Sequence, residues 1–222
     1  MKGKLIVAIL MIIFVISIVK ANPSGTGINI EDSETFDGET AISTPAVGGN
    51  VSEMTLTQTT QTQLWSAFYG NLSGETALKG SSGDTIFDWG AITYTKAYVF
   101  MTRLASVNWG TIIGASISHI ENEDTALGMD GETEAINNTR TDASTWPDID
   151  YGSAISVNYG IDMTSGSGWR SPILYDSTNA GLIFGVYVNS SGQAFNSQDA
   201  DYQIMIPTGD VTRDYYVYAF ME

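Results

Sequence analysis

Apolar and polar side chains alternate from Leu72 onward. Leu72, Gly74, Thr76 and Leu78 fall on one face and Ser73, Glu75, Ala77 and Lys79 on the other, the period of a half-buried strand. A tight loop follows: Ser81, Ser82, Gly83 and Asp84 supply turn chemistry, with Gly83 able to take positive φ, and Thr85, Phe87 and Trp89 form the next apolar stripe. Together with the aromatic cluster of Trp65, Phe68 and Tyr69, this pattern makes 63–89 the expected nucleus of a β-sheet protein. Val51, Met54 and Leu56 predict a strand before it, and 92–102 and 107–117 predict two more strands or a hairpin. Segments 152–163, 181–188, 202–206 and 214–221 read as strands between Gly, Ser, Asn and Asp turns. Helical signals are confined to one region. Ser118-His119-Ile120-Glu121 reads as a capping box, Gly128 is placed to end that helix, and Asp130 to cap a second short one through Ile136. The fold class predicted is all-β: a β-sandwich of about nine or ten antiparallel strands with a small helical insert near 118–138.

Two segments precede that domain. Met1 to Lys4 carry positive charge, 5–19 is almost unbrokenly apolar, and Val19-Lys20-Ala21 resembles a cleavage site, so 1–21 reads as a secretory signal peptide with maturation before Asn22. The alternatives are an uncleaved anchor, although a span usually needs roughly 17 to 25 apolar residues, and a pilin-type leader cut near Gly3. Residues 22–50 form an acidic, Gly/Ser/Thr-rich arm expected to be flexible, in which Ile28, Ile30 and Phe36 retain some strand character. An arm of this kind can add a strand to a neighbouring subunit's sheet. The β-domain then occupies 51–222.

Charge narrows the partners. There are 25 acidic and 9 basic residues; Lys2, Lys4 and Lys20 lie in the leader, which leaves 6 basic residues and a charge of −19 after maturation. Such a chain repels nucleic acid and anionic lipid, and suits a saline medium, divalent cations or a basic neighbour. A membrane enters only through the leader, if it is uncleaved. The chain has no cysteine, which excludes disulfides and thiolate metal sites, so packing alone must hold the fold.

Candidate chemistry is sparse. Asn50, Asn71, Asn137 and Asn189 head N-glycosylation sequons. The segments 69–74 and 187–192 share the pattern Y-x-N-x-S-G and are expected to be similar strand-end turns. Every Ser-His-acid scheme would have to run through His119, the single histidine, which the helix start places at the surface. Calcium, if any, would use acidic groups such as Glu121, Glu123 and Asp124, Asp148 and Asp150, or Asp199 and Asp201, none spaced as an EF-hand; otherwise no cofactor is expected. Trp146 and Trp169, in Gly/Ser/Pro-rich loops, are the candidate sugar-stacking residues, whereas Trp65, Trp89, Tyr218 and Phe220 read as core.

Three blocks carry a family likeness: Gly48-Gly49-Asn50-Val51-Ser52-Glu53; Trp65-Ser66-Ala67-Phe68-Tyr69-Gly70-Asn71-Leu72-Ser73-Gly74 with Asp88-Trp89; and the closing Asp201-Tyr202-Gln203-Ile204-Met205-Ile206-Pro207 with Tyr215-Tyr216-Val217-Tyr218-Ala219. A middle segment, 120–128 with 136–139, extends it. In these blocks the chain resembles a family of exported archaeal cell-surface β-proteins. The resemblance implies an envelope location and no reaction. Relatives of this kind often carry cysteine in the middle segment, in whose neighbourhood this chain has Ile113 and Gly114, so a cross-link there is not carried over.

The expectation is an exported surface protein, structural or interacting rather than enzymatic, whose partners are other envelope proteins or itself. Three alternatives stand beside it: a polysaccharide-binding module, a secreted hydrolase with a carboxylate or calcium-assisted site, and a filament or pilus subunit assembling by strand addition. Structural assembly predicts an open strand edge, a sugar binder predicts coplanar exposed aromatics, and a hydrolase predicts converging acids with at least one raised pKa.

Overall fold

A computed structural model describes residues 22–35, 43, 53–54, 59, 61–163 and 165–222. The signal peptide expected at 1–21, the Asn50 sequon and most of the strand expected around Val51 and Leu56 lie outside the described residues. The strands are β1 (Ser24–Gly25), β2 (Trp65–Gly70), β3 (Glu75–Lys79), β4 (Thr85–Ala91), β5 (Ala97–Thr102), β6 (Ile112–Gly114), β7 (Thr141–Asp142), β8 (Ile149–Asp150), β9 (Ala154–Ile155), β10 (Tyr159–Asp162), β11 (Arg170–Asp176), β12 (Gly181–Tyr187), β13 (Tyr202–Pro207) and β14 (Tyr216–Met221). Helices α1 (Ile117–Leu127) and α2 (Ile136–Thr139) and a 3-10 turn at Trp109–Thr111 complete the description. The fold is all-β and antiparallel with a small helical insert, as expected. Among the described residues four of the strands (β1, β7, β8 and β9) are two-residue pairings and ten are longer, one of which, β11, lies where no strand was expected.

One sheet dominates, in the order β1-β14-β5-β12-β11-β10-β7, with β6 also paired to β11. Its central strands are covered on both faces. Val99, Met101, Ile173, Leu182, Phe184 and Val186 point into one core, which α1 and the β2–β13 ribbon close with Ile120, Leu127, Ile204 and Ile206. Tyr98, Phe100, Leu174, Ile183 and Phe220 point into the other, closed by Trp146, Ile149, Tyr151, Ile155 and Val157. A strand buried on both faces has no polar face to show, so β5 and β12 read as continuous apolar runs rather than as alternation.

The reverse holds for 63–89, which is not the nucleus. Strands β3 and β4 pair only with each other, and Leu78, Ile86, Phe87 and Trp89 are exposed. Clean alternation is the signature of a ribbon with a solvated face. Its base is pinned to the main sheet, because Gly74 lies so close to Met221 of β14 that a Cβ there would collide with the Met221 methyl.

Helix α1 begins two residues earlier than the Ser118 box predicts. Ser116 caps it: its Oγ accepts the His119 N–H (3.3 Å), and His119 Nδ1 accepts the Ser116 N–H (3.2 Å), so an imidazole takes the place of the expected Glu121 carboxylate. Gly128 ends the helix at φ 72°, as expected. Asp130 does not cap α2. That role falls to Asp124, a buried carboxylate of α1, which accepts the N–H groups of Ile136 (2.7 Å) and Asn137 (2.9 Å) and so ties the two helices together. Among the described residues no helix is long and apolar enough to cross a membrane.

Candidate functional site

The second layer of the sandwich is narrow, a ribbon of β2 and β13 in the register Gly70↔Tyr202, Phe68↔Ile204 and Ser66↔Ile206. Pro207, which has no N–H, stands opposite Trp65, and Thr208 N–H donates to the Leu64 carbonyl (2.7 Å). Antiparallel pairs alternate between bonded and non-bonded, so Ser66, Phe68 and Gly70 turn their backbone groups to β13. The N–H and C=O groups of Trp65, Ala67 and Tyr69 therefore face the other way, where no described strand pairs with them. Among the described residues this edge of β2 is open.

Beside it lies a cleft of about 530 Å³. Ala67, Tyr69, Gln203 and Met205, which share one face of the ribbon, line it together with Ile161, Asp162, Met163 and Ser165 and with Thr139 and Phe195. Tyr69 is held through its hydroxyl in both senses: it donates to Gln198 Oε1 (3.2 Å) and accepts from Asn196 Nδ2 (3.1 Å). Phe195 meets it edge to face, centroids 5.6 Å apart at 84°. The buried Gln203 side chain accepts the Phe195 N–H (2.8 Å), which fixes that loop, while its Nε2 has only the Met163 sulfur at 4.0 Å, a weak acceptor. The sequence carried signals for both residues: Gln203 is a polar residue inside an apolar strand, and Phe195 the single large apolar residue in the polar stretch 193–201.

The proposed stacking residues Trp146 and Trp169 are not exposed. Their relative exposures are 8% and 3%. Each ring is seated on a glycine, Trp146 on Gly160 and Trp169 on Gly192, where an added Cβ would collide with ring carbon. Trp169 Nε1 donates to the Gln193 carbonyl (3.0 Å), and the Arg170 guanidinium lies 5.3 Å from the Trp146 ring centre. The small residues that made these loops look like surface are what lets the rings pack. Conversely Trp89, read as core, is 62% exposed and stacks edge-on with Phe87 at 4.9 Å; Trp65 and Tyr218 are half-buried and Phe220 buried. Replacing Trp89 by Phe is expected to remove most acrylamide-quenchable fluorescence and to leave unfolding within about 0.5 kcal/mol of the parent, as for other surface substitutions.

Asn71 and Asn189 are exposed, whereas Asn137 is half-buried in α2 with its Oδ1 accepting from Arg140 Nε (2.9 Å). The two similar Y-x-N-x-S-G turns meet at one residue. Asp201 accepts the Leu72 N–H through Oδ2 and the Asn189 N–H through its carbonyl, and donates its own N–H to Gly70, each at 2.8 Å. Asp201 is thus a peg between strand ends, Asp150 is paired with Lys96 (2.8 Å), and Asp148 and Asp199 lie exposed. Among the described residues no three His, Cys, Asp or Glu side chains gather as a metal site.

Among the described residues, three more groups bear on acid or base chemistry, the acids beside the helical insert and the single histidine. A depression of about 620 Å³ at the start of α1 is lined by Glu121 and Asp142, but hydrogen bonds from Ser144 hold the Asp142 carboxyl below its ordinary value. Burial pushes Asp124 up, yet both its oxygens are occupied by the α2 backbone. His119 lies flat on Tyr175, 3.6 Å between ring centres, with Nδ1 committed to the helix cap. No protein-family model, curated protein or solved structure matches the chain.

Proposed function

We propose that this chain is an exported cell-surface structural module that binds its neighbours by accepting an extended strand on β2. The observation that carries this reading is the outward row of backbone groups at Trp65, Ala67 and Tyr69 beside an apolar cleft. A strand added to β2 hydrogen-bonds to that row and places every second side chain on the face of Ala67 and Tyr69, which is the cleft. Exposed Asn71 and Asn189 suit glycan attachment, the acidic surface suits a saline exterior, and the resemblance to exported archaeal surface proteins points to the same location. The polysaccharide reading is weaker, because Tyr69 and Phe195 meet at 84° and offer no flat platform.

Ala67→Pro tests it. Proline removes one outward N–H and puts its ring at the edge, while the bonds to β13 run through Ser66, Phe68 and Gly70 and are untouched. The variant is expected to keep its circular dichroism and thermal midpoint and to lose at least about tenfold in affinity for envelope material, read by co-sedimentation. Undiminished association of a folded variant would sink the reading.

A further inference from the structure

We propose that the strand β2 accepts is residues 27–31 of a second copy of this chain, so that copies join head to tail. This rests on β2 being an accepting edge, and adds the identity of the donor.

Among the described residues, the arm meets its own domain only at 23–26, where Pro23 is buried. Ser24 and Gly25 pair with Ala219 and Tyr218 on the outer edge of β14, and Thr26 N–H reaches the Val217 carbonyl (3.3 Å). Beyond that point the arm is exposed from Gly27 through Thr35. Its sequence there, Gly27-Ile28-Asn29-Ile30-Glu31, has the two-residue period of a strand with one apolar face, yet Ile28 and Ile30 are 60% and 63% exposed. The cleft of the same chain is open as well, with Ala67 exposed and Phe195 52% exposed. An apolar stripe without a seat and an apolar seat without a stripe thus occur on one molecule.

They match in chemistry, length and charge. Ile28 and Ile30 would enter a cleft lined by Ile161, Met163, Met205 and Phe195, while Asn29 and Glu31 stay outside. Five residues at about 3.3 Å each cover the same distance as the open edge from Trp65 to Tyr69. Glu31, Asp32 and Glu34, which follow the isoleucines, are in no ion pair among the described residues, and neither is Arg140, which follows the cleft residue Thr139 and is held by the Tyr159 ring (4.4 Å) and Asn137 (2.9 Å).

Because donor and acceptor are different parts of the surface, each copy can give one strand and take one, and such a contact continues into a filament unless its rotation happens to close a ring. One strand buries far less than the roughly 1,200–2,000 Å² of a stable interface. Mature copies also repel each other through their charge, so the contact forms more readily at high salt and is best trapped covalently.

The absence of native cysteine makes the trap specific. Chains carrying Ile28→Cys or Ile30→Cys are mixed with chains carrying Ala67→Cys in high salt and oxidised with copper-phenanthroline. A disulfide-linked heterodimer is expected, and the double variant I28C/A67C is expected to give a ladder of multimers. If the double variant closes only within single chains, the arm serves its own domain and the proposal falls. If no cross-link forms while Ala67→Pro still releases the chain from envelope material, the donor is another protein: this inference is overturned and the accepting edge stands. If Ala67→Pro also changes nothing, both fail.

Discussion

Asp176→Ala is expected to lower the unfolding free energy by about 2–4 kcal/mol, because it removes one buried carboxylate that five donors share. Asp176 ends β11 and is fully buried. It accepts the backbone N–H groups of Asn108 (2.7 Å), Thr178 (2.9 Å) and Asn179 (3.2 Å), the Asn179 side-chain amide (2.8 Å) and the Thr111 hydroxyl (3.1 Å). One carboxylate therefore shapes the turn into β12 and fastens the 3-10 turn and β6 to the central sheet. Burial alone would raise its pKa, but the donors of Asn108, Asn179 and Thr178 outweigh burial and hold it below the ordinary 3.8. A depressed folded-state pKa means that the unfolded chain takes up the proton first as pH falls. The stabilisation is complete above the unfolded value and is lost as pH drops through the folded one. Urea titrations should show a constant gap between parent and variant at neutral pH that narrows, without vanishing, as pH falls below about 4. Asp176→Asn, which keeps the shape but loses the charge, should fall between them. A gap that persists unchanged to pH 2 would mean that the carboxylate is not the cause.

Two central strands could be read from the sequence because burial on both faces leaves continuous apolar runs, Ala97–Thr102 and Gly181–Tyr187, whereas their neighbour Arg170–Asp176, which opens on Arg, Ser and Pro, was not among the expected strands. The same rule misplaced the nucleus. Alternation is easiest to see where one face is solvated, so 72–89 stood out although its ribbon pairs with nothing else described. Helix α1 was legible apart from its first turn, where a histidine nitrogen served as acceptor in place of a carboxylate. Asp124 and Asp176 looked like any acids near turns, since nothing local shows that a distant backbone will bring donors to them. The open edge was less legible still. It exists because Trp65 faces Pro207 across about 140 positions of chain, and only that long-range register decides which backbone groups of β2 turn outward. The sequence does show Ile28 and Ile30 at strand spacing in an arm otherwise rich in turn residues, the pattern from which the donor was proposed.

Trp169→Ala should cost about 3–5 kcal/mol, the range for deleting a large aromatic from a packed core. A surface platform for sugar would lose ligand affinity on this change and keep its stability. The two readings of Trp169 therefore separate in one urea titration, and an unfolding midpoint equal to the parent's would return the residue to the surface. Its position makes the larger loss the expected one. The ring belongs to the core shared by Val186, Ile204 and Met163, it lies against Gly192, and its Nε1 holds the Gln193 carbonyl. Those last two residues begin the stretch 192–201 that brings Phe195 to the cleft and ends at the Asp201 peg. Removing the ring takes the floor from under that stretch, so the substitution should loosen Phe195 even under conditions where the domain remains folded. In the disulfide trap, chains combining Trp169→Ala with Ala67→Cys should then capture the donor strand less efficiently than Ala67→Cys alone at a temperature where both are native. Equal capture would show that the cleft keeps its shape without this support.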